Sequence, residues 1–314
     1  MFIDSVGHYL PSQFVSNDYF LEINGLSDEW IYSRTGIKTR TRASSPETTH
    51  TMGIEAVKEA VKNLTYPIKE VDLVVGASYT PYDTVGTLAH AVQREFSLKN
   101  AKAVYISSAC SSFINAVEIV EGYFAMGKAK HALIVVSEHN SAYSNDQDEK
   151  SGHLWGDGAA CIFLSSHQTS SNQGFIQDVF TQGLGHIGRS IDAVFLHPMN
   201  GGLLMPYGKD VFVHACNYMI YALEIILERN GYTTADLDYL IPHQANIRII
   251  EHIRSSLELP REKVITHLKE LGNTGSASTL IALSQQVEKI FSPKLIAITV
   301  FGGGYSCGSM LLRY

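Results

Sequence analysis

The sequence predicts an α/β fold made of two like units, and three observations carry that reading. Short runs rich in Val, Ile and Leu alternate with longer apolar stretches of helical character, which gives mixed or parallel sheets covered by helices. The elements of the first half return in the same order in the second. One polar run, Gln168-Thr169-Ser170-Ser171-Asn172-Gln173-Gly174, falls between the two sets and reads as their joint. The expected halves are residues 1–168, carrying a nucleophilic cysteine, and residues 169–314, carrying a histidine and an asparagine.

In chain order, Val71-Asp72-Leu73-Val74-Val75 reads as a strand and is followed by a helix over roughly residues 86–96. Ala103 to Ala109 reads as a buried strand ending in small residues. After Cys110, Ser111 to Val120 has the apolar density of a buried helix, stopped near Gly127. Ala132 to Val136 is a further strand, and Gly156-Asp157-Gly158 turns the chain into the next, Ala159 to Leu164. In the second half Leu237-Asp238-Tyr239-Leu240-Ile241 echoes the first strand at an offset of 166 residues. The same offset carries Cys110 onto Ser276, inside the run Gly272 to Ile281. Leu295 to Val300 and Gly302 to Leu311 then repeat the closing strand and glycine turn. One such match means little; four in the same order indicate a duplicated unit.

At 314 residues, with 18% charged and 45% hydrophobic residues, the chain has ample material for a packed core. Its net charge of −7 and lack of a basic block argue against a nucleic-acid partner. Met1-Phe2-Ile3-Asp4 is not a secretory start, and no apolar run reads as a membrane span, so no membrane association is expected. Cys110, Cys161, Cys216 and Cys307 are scattered with no C-x-x-C pair. That implies neither a disulfide framework nor a metal site, and it points to a reducing cytoplasm.

The chemistry is expected at Cys110. A thiol at a strand-to-helix junction lies along unpaired backbone N–H groups, and the helix N-terminus favours thiolate. A lone cysteine among small residues is more often a buried hydrophobe. Here, however, Pro242-His243-Gln244-Ala245-Asn246 and Leu271-Gly272-Asn273-Thr274-Gly275 offer a His and an Asn, each at the end of its own element. A Cys-His-Asn set serves papain-like proteolysis, in which Asn orients His, or thiolase-like condensation, in which His and Asn stabilise a carbanion at a thioester. The duplication favours the second.

These residues resemble the β-ketoacyl-acyl-carrier-protein synthase III family. Ser27 to Ile37 (SDEWIYSRTGI) is similar to that family's coenzyme A segment, and Pro242 to Ile250 (PHQANIRII) to its histidine motif. Asn273 lies in a G-N-T motif, and Phe301-Gly302-Gly303-Gly304 resembles the C-terminal glycine loop. The resemblance runs over essentially the whole chain, with the motifs in order.

It implies a thiolase-like duplicated five-layer αβαβα fold, a homodimer, and no cofactor beyond the substrates. The reaction implied is acylation of Cys110 by an acyl-CoA primer, then decarboxylative condensation with malonyl-acyl carrier protein that initiates fatty-acid or related synthesis. By the same matching, the N–H groups of Cys110 and Gly303 form an oxyanion hole that a side chain at Gly303 would block. Trp30, Arg34, Asn246 and Arg248 meet CoA and its pantetheine, and Val85, Leu154, Trp155 and Phe212 wall the acyl pocket. The chain departs from the family pattern in three places: Val213-His214 where a basic residue often follows the phenylalanine, Glu149-Lys150 where an adenine-contacting arginine is common, and Val85 where a phenylalanine often closes the acyl pocket. An acyltransferase to another acceptor, a condensing enzyme of a secondary-metabolite pathway and a silent subunit are the alternatives. The intact Asn273 counts against the first of these, and the complete triad against the last.

Overall fold

The computed structural model describes residues 1–170, 173–199, 201–287 and 294–314. Ser171 and Asn172 of the polar joint lie outside the described residues. The chain runs β1 (Phe2–Tyr9), β2 (Gln13–Ser16), α1 (Asn17–Asn24), α2 (Asp28–Thr35), β3 (Thr39–Arg42), α3 (Thr49–Val61) and β4 (Leu73–Ala77). It continues through α4 (Leu88–Glu95), β5 (Lys102–Ile106), α5 (Ser112–Ala125), β6 (His131–Glu138) and β7 (Gly158–Ser165). Next come β8 (Gly174–Gly183), β9 (Phe195–His197), β10 (Gly202–Leu204), α6 (Gly208–Arg229) and β11 (Tyr239–Pro242). It closes with α7 (Ile247–Ser256), α8 (Leu268–Leu271), α9 (Ser278–Gln286), β12 (Leu295–Gly302) and β13 (Ser306–Arg313).

The main sheet has the order β11-β12-β13-β8-β1-β7-β6-β4-β5. Read outward from its centre, β1-β7-β6-β4 and β8-β13-β12-β11 follow one scheme: first strand, last, penultimate, second. The directions agree as well, since β4 is parallel to β6 as β11 is to β12, while β6–β7 and β12–β13 are antiparallel. The third strand is where the copies part. β5 pairs with β4 over five residues, whereas its counterpart is reduced to the single bridge Leu240–Val264.

The repeat extends to single atoms. Asp72 N–H donates to His131 O at 2.9 Å while its carboxylate accepts from His131 N, pinning the start of β6. Asp238 N–H donates to Leu295 O at 2.9 Å while its carboxylate accepts from Leu295 N, pinning β12. The two sheet halves touch at one place. β1 and β8 pair through Phe2–Phe175 and Ile3–Gly174, backbone complementarity that no residue pattern announces.

Helices cover both faces in layers. α3 and α4 set Met52, Val57 and Val92 against Val74, Leu133 and Phe163 on one outer face. α5 and α9 fill the middle, with Phe113, Val117, Leu280 and Leu283 against Leu73, Ile134, Ile298 and Met310. α6 and α7 place Leu223 and Ile253 against Leu240, Ala297 and Leu311 on the other outer face. Strands buried on both faces read as unbroken apolar runs, which is why Leu73–Ala77 shows no alternation. One sequence expectation is corrected here. By length and composition α6 is long and apolar enough to cross a bilayer, but it packs along β12 and β13.

Candidate active site

β5 ends at Ile106, three residues short of the expected strand end, and the chain then turns sharply into α5. Ala109 holds φ 48°, a left-handed conformation that costs an L-residue about 1–2 kcal/mol. Local hydrogen bonds hold the turn. Ser112 Oγ accepts from Ser108 N at 2.8 Å and donates to Ala109 O at 2.6 Å. Ser111 Oγ pairs with Ser306 Oγ of β13 at 2.7 Å, tying the turn to the other copy. Cys110 stands on this turn, partly exposed to a cavity, while the other three cysteines are buried.

Its ionisation differs from the sequence expectation. Burial pushes the Cys110 thiol up to about 12, the Glu138 carboxylate raises it further, and Tyr79 opposes only in part. A helix N-terminus is worth about 0.3–1 kcal/mol, less than one pKa unit, so it loses to the removal of water. The resting thiol is neutral.

His243 follows β11, where its N–H donates to Thr299 O of β12 at 2.9 Å. Burial, with His267 nearby, holds its imidazole down at about 4, so it is neutral at physiological pH. Nδ1 lies 2.9 Å from Ser278 Oγ. That hydroxyl also receives Gln244 N–H at 3.5 Å and has a proton it can donate to Nδ1. In the tautomer that accepts it, the imidazole proton is on Nε2.

Asn273 is clamped through its backbone. Its N–H donates to Leu154 O at 2.9 Å, and its carbonyl accepts from Gly156 N at 3.0 Å and Asn140 Nδ2 at 3.3 Å. Asn273 Oδ1 accepts from Gly275 N at 3.0 Å, so the amide Nδ2 is the free donor. Cys110, His243 and Asn273 line one cavity of about 380 Å³.

The glycine loop closes against the turn, shifted by one residue from expectation. A Cβ on Gly302 would stand 2.9 Å from Ser108 O and Ser111 N and 3.0 Å from Cys110 N. On Gly303 it would instead meet Val194 Cγ1 at 2.8 Å. Gly302 is thus the residue whose lack of a side chain lets the loop approach the Cys110 backbone, while Gly303 lines the cavity.

Sequence reasoning missed the polar frame behind the thiol. Glu138, at the end of β6, is fully buried. It accepts from Ser78 Oγ at 3.0 Å, Thr80 N at 3.2 Å, Tyr79 N at 3.3 Å, and the hydroxyls of Thr80 and Ser276. Tyr79 lines the cavity and donates to Asn140 Oδ1 at 2.7 Å. The frame therefore spans the first strand end, Asn140 and the Asn273 loop. Its one legible signal was the mapping of Cys110 onto Ser276 by the repeat.

Burial pushes the Glu138 carboxyl up to about 7, which has a testable consequence for stability. A carboxyl titrating higher in the fold than in the unfolded chain stabilises fully below its unfolded pKa, and that contribution is lost as pH rises through about 7. Glu138→Gln should therefore be less destabilised than the wild type between pH 5 and 8, by up to about 3 kcal/mol. Urea unfolding of both proteins at the two pH values measures this, and parallel curves would show that Glu138 does not titrate there.

The remaining expected residues fall into two groups. Trp30 and Arg34 on α2 stack as a cation–π pair, with the guanidinium 4.4 Å from the ring. Arg248 on α7 donates to Ser33 O at 2.9 Å, bringing it beside them. Asn246 caps α7, accepting from Arg248 N at 2.8 Å. None of these four lines the cavity, although Ala245 and Ile249 from the same segment do.

Of the four acyl-pocket residues, only Trp155 lines the cavity. Leu154 holds the Asn273 backbone instead. Val85 is 84% exposed, on a loop pinned by Asp83, which accepts from Val85 N at 2.7 Å. Phe212 packs against the outer core, because one residue along a helix turns a side chain by about 100° and Val211 takes the cavity side. Among the described residues, no three His, Cys, Asp or Glu gather as a metal site.

Comparison with known proteins adds the following. The family profile described as 3-oxoacyl-[acyl-carrier-protein (ACP)] synthase III matches residues 105–183, and its C-terminal counterpart matches residues 227–314. The chain is 34% identical to beta-ketoacyl-[acyl-carrier-protein] synthase III of Aquifex aeolicus over 99% of both chains. It is 35% identical to the enzyme of that name from Wolbachia pipientis wMel, over 100% of this chain and 99% of the other. The crystal structure of the Aquifex aeolicus synthase superposes with a TM-score of 0.93 at 33% identity, covering 100% and 99% of the two chains. The priming beta-ketosynthase of the R1128 polyketide pathway gives 0.90 at 29% identity, covering 99% and 95%.

Proposed function

The chain belongs to the 3-oxoacyl-[acyl-carrier-protein] synthase III family of condensing acyltransferases, and on that premise we propose the division of labour in its site. Cys110 Sγ attacks the thioester carbonyl of an acyl-CoA; the S–C bond to CoA breaks, and the thiol proton ends on the CoA sulfur. Malonyl-acyl carrier protein then enters and loses its carboxylate as carbon dioxide. The electron pair left behind is held as an enolate by His243 Nε2–H and Asn273 Nδ2–H. Its carbon attacks the acyl-Cys carbonyl, whose oxyanion meets the N–H groups of Cys110 and Gly303. Collapse expels the Cys110 thiolate, and the same burial that raises its pKa returns it to the neutral thiol by taking a proton from water. The sequence balances with protein groups and two thioesters alone, so no further cofactor is assigned.

The observation that carries this reading is the pairing of two neutral donors. His243 Nδ1 and Asn273 Oδ1 are each engaged by the protein, which leaves one N–H apiece for a single oxygen in the cavity that holds Cys110. Simple acyl transfer has no use for such a pair. The likeness to the R1128 ketosynthase supports priming of a secondary pathway as the second reading.

We assign CoA and the carrier arm to the α2–α7 side, where Trp30, Arg34 and Arg248 offer an aromatic face and two cations beside Asn246. A homodimer through β5 is the proposed assembly, supported by an edge strand whose Ala103 to Ile106 are only partly buried. The halves are assigned to residues 1–168 and 169–314, supported by the matching strand orders, and the free thiol suits the cytoplasm.

Intact-protein mass spectrometry tests the cycle. A panel of acyl-CoAs should add one acyl mass, and malonyl-acyl carrier protein should then remove it with release of a β-ketoacyl product. An acyl mass that malonyl-carrier leaves in place, but an amine or alcohol removes, would replace condensation with simple transfer.

A further inference from the structure

Two side chains that follow neighbouring strands meet at the sulfur. β4 and β5 run parallel with Ala77 opposite Ile106, and Ser78 N–H donates to Ile106 O at 3.2 Å. Tyr79 and Cys110 therefore follow adjacent strand ends, and both line the cavity. The Tyr79 hydroxyl lies within hydrogen-bond reach of the Cys110 thiol. Its ring rests on the Asn273 loop, where a Cβ on Gly275 would collide with the hydroxyl.

The direction of the hydrogen bonds around that hydroxyl follows from its other neighbour. Asn140 Nδ2 donates to Gly156 O at 2.7 Å and to Asn273 O at 3.3 Å, which turns Oδ1 toward Tyr79. The Tyr79 O–H donates to that Oδ1 at 2.7 Å. A phenol has a single proton. While it points at Asn140, Tyr79 offers the sulfur only lone pairs, which suit the S–H of a neutral thiol. A thiolate reverses the preference. Hydrogen bonds to an ionised acceptor are about twice as strong as those between neutral groups, so charge on Sγ draws the O–H away from the amide.

We propose that Tyr79 is a further catalytic residue, whose hydroxyl turns from Asn140 Oδ1 to Cys110 Sγ whenever the sulfur carries charge. That happens before attack on the acyl-CoA and again when condensation expels the thiolate. The turn moves a hydrogen bond and transfers no proton, so the balance of the reaction is unchanged. The proposal rests on the reading of Cys110 as the acylated residue and adds the group that stabilises its sulfur. Burial and Glu138 work against the thiolate, and Tyr79 is the side chain that favours it.

The test is the rate at which iodoacetamide alkylates Cys110, read by intact mass over time at fixed pH. It compares the wild type, Tyr79→Phe and a protein carrying 3-fluorotyrosine at position 79. Phenylalanine keeps the ring on Gly275 and removes the donor, and should slow alkylation about threefold or more. Fluorine makes the phenol a stronger donor and should speed alkylation, so the proposal does not depend on one variant folding. The carboxylates that face Tyr79, Glu138 and Asp157, are present in all three proteins, so the ratio of rates isolates the hydroxyl. Equal rates in the three proteins overturn the role of Tyr79. Faster alkylation of Tyr79→Phe overturns it too, since the oxygen would then be holding the S–H. Labelling of the wild type by acetyl-CoA checks the Cys110 reading separately. No acyl group on Cys110 overturns that reading and the proposal with it, whereas acyl label with equal alkylation rates removes Tyr79 alone.

Discussion

Cys110→Ala is expected to take up no acyl group from any acyl-CoA, where the wild type gains a single acyl mass. The other three thiols are buried and none of them lines the cavity, so none substitutes as nucleophile. The fold should tolerate the change. The turn is held by Ser108, Ser111 and Ser112 rather than by the cysteine side chain, and alanine adds no atom to the crowded approach of Gly302. The measurement is intact mass after exposure to acetyl- and octanoyl-CoA, with unfolding curves to show that the variant is folded. Equal labelling of wild type and variant would move the nucleophile elsewhere.

Asn273→Ala is expected to separate the two stages. Acylation of Cys110 needs no donor at position 273 and should persist. Condensation loses one of the two N–H groups on the enolate oxygen, and removal of such a donor costs about 10²–10³ in rate. The loop should hold its place, because Leu154, Gly156 and Asn140 grip the backbone of residue 273 and the side chain adds only its bond from Gly275 N. Pre-acylated protein mixed with malonyl-acyl carrier protein gives the rate of deacylation directly. A variant that condenses at the wild-type rate would remove Asn273 from the reaction.

The sequence made the strands legible wherever burial on both faces wrote an unbroken apolar run, as in Leu73–Ala77 and Leu295–Gly302. The duplication was legible because Asp72 and Asp238 do the same job at the same place in each copy. The proposed nucleophile and its two partners were legible for a different reason: each ends a strand or opens a turn, where small and polar residues interrupt the apolar pattern. What escaped depends on distance in space. Glu138 lies 28 residues beyond Cys110, and only the folded sheet buries it behind the thiol and reverses the expected ionisation. Helical phase put Val211 rather than Phe212 on the cavity, and the close approach to the Cys110 backbone falls at Gly302, next to Gly303.

The third strand that one copy keeps and the other has lost bears on how many molecules can join. A sheet with two equal free edges can add copies at both ends and grow without limit. Here one end is β5, five residues long and open along its outer side. The other is β11, four residues long, which ends in Pro242 and carries the Leu240–Val264 bridge where a full neighbour would lie. Proline offers no N–H to an incoming strand, and the bridge already occupies the middle of the edge. In the dimer proposed above β5 would meet its twin, and a twofold axis through that contact would use up the β5 edge of both copies. The dimer proposed above would be self-terminating, because the shortened β11 edge offers a further copy no matching strand.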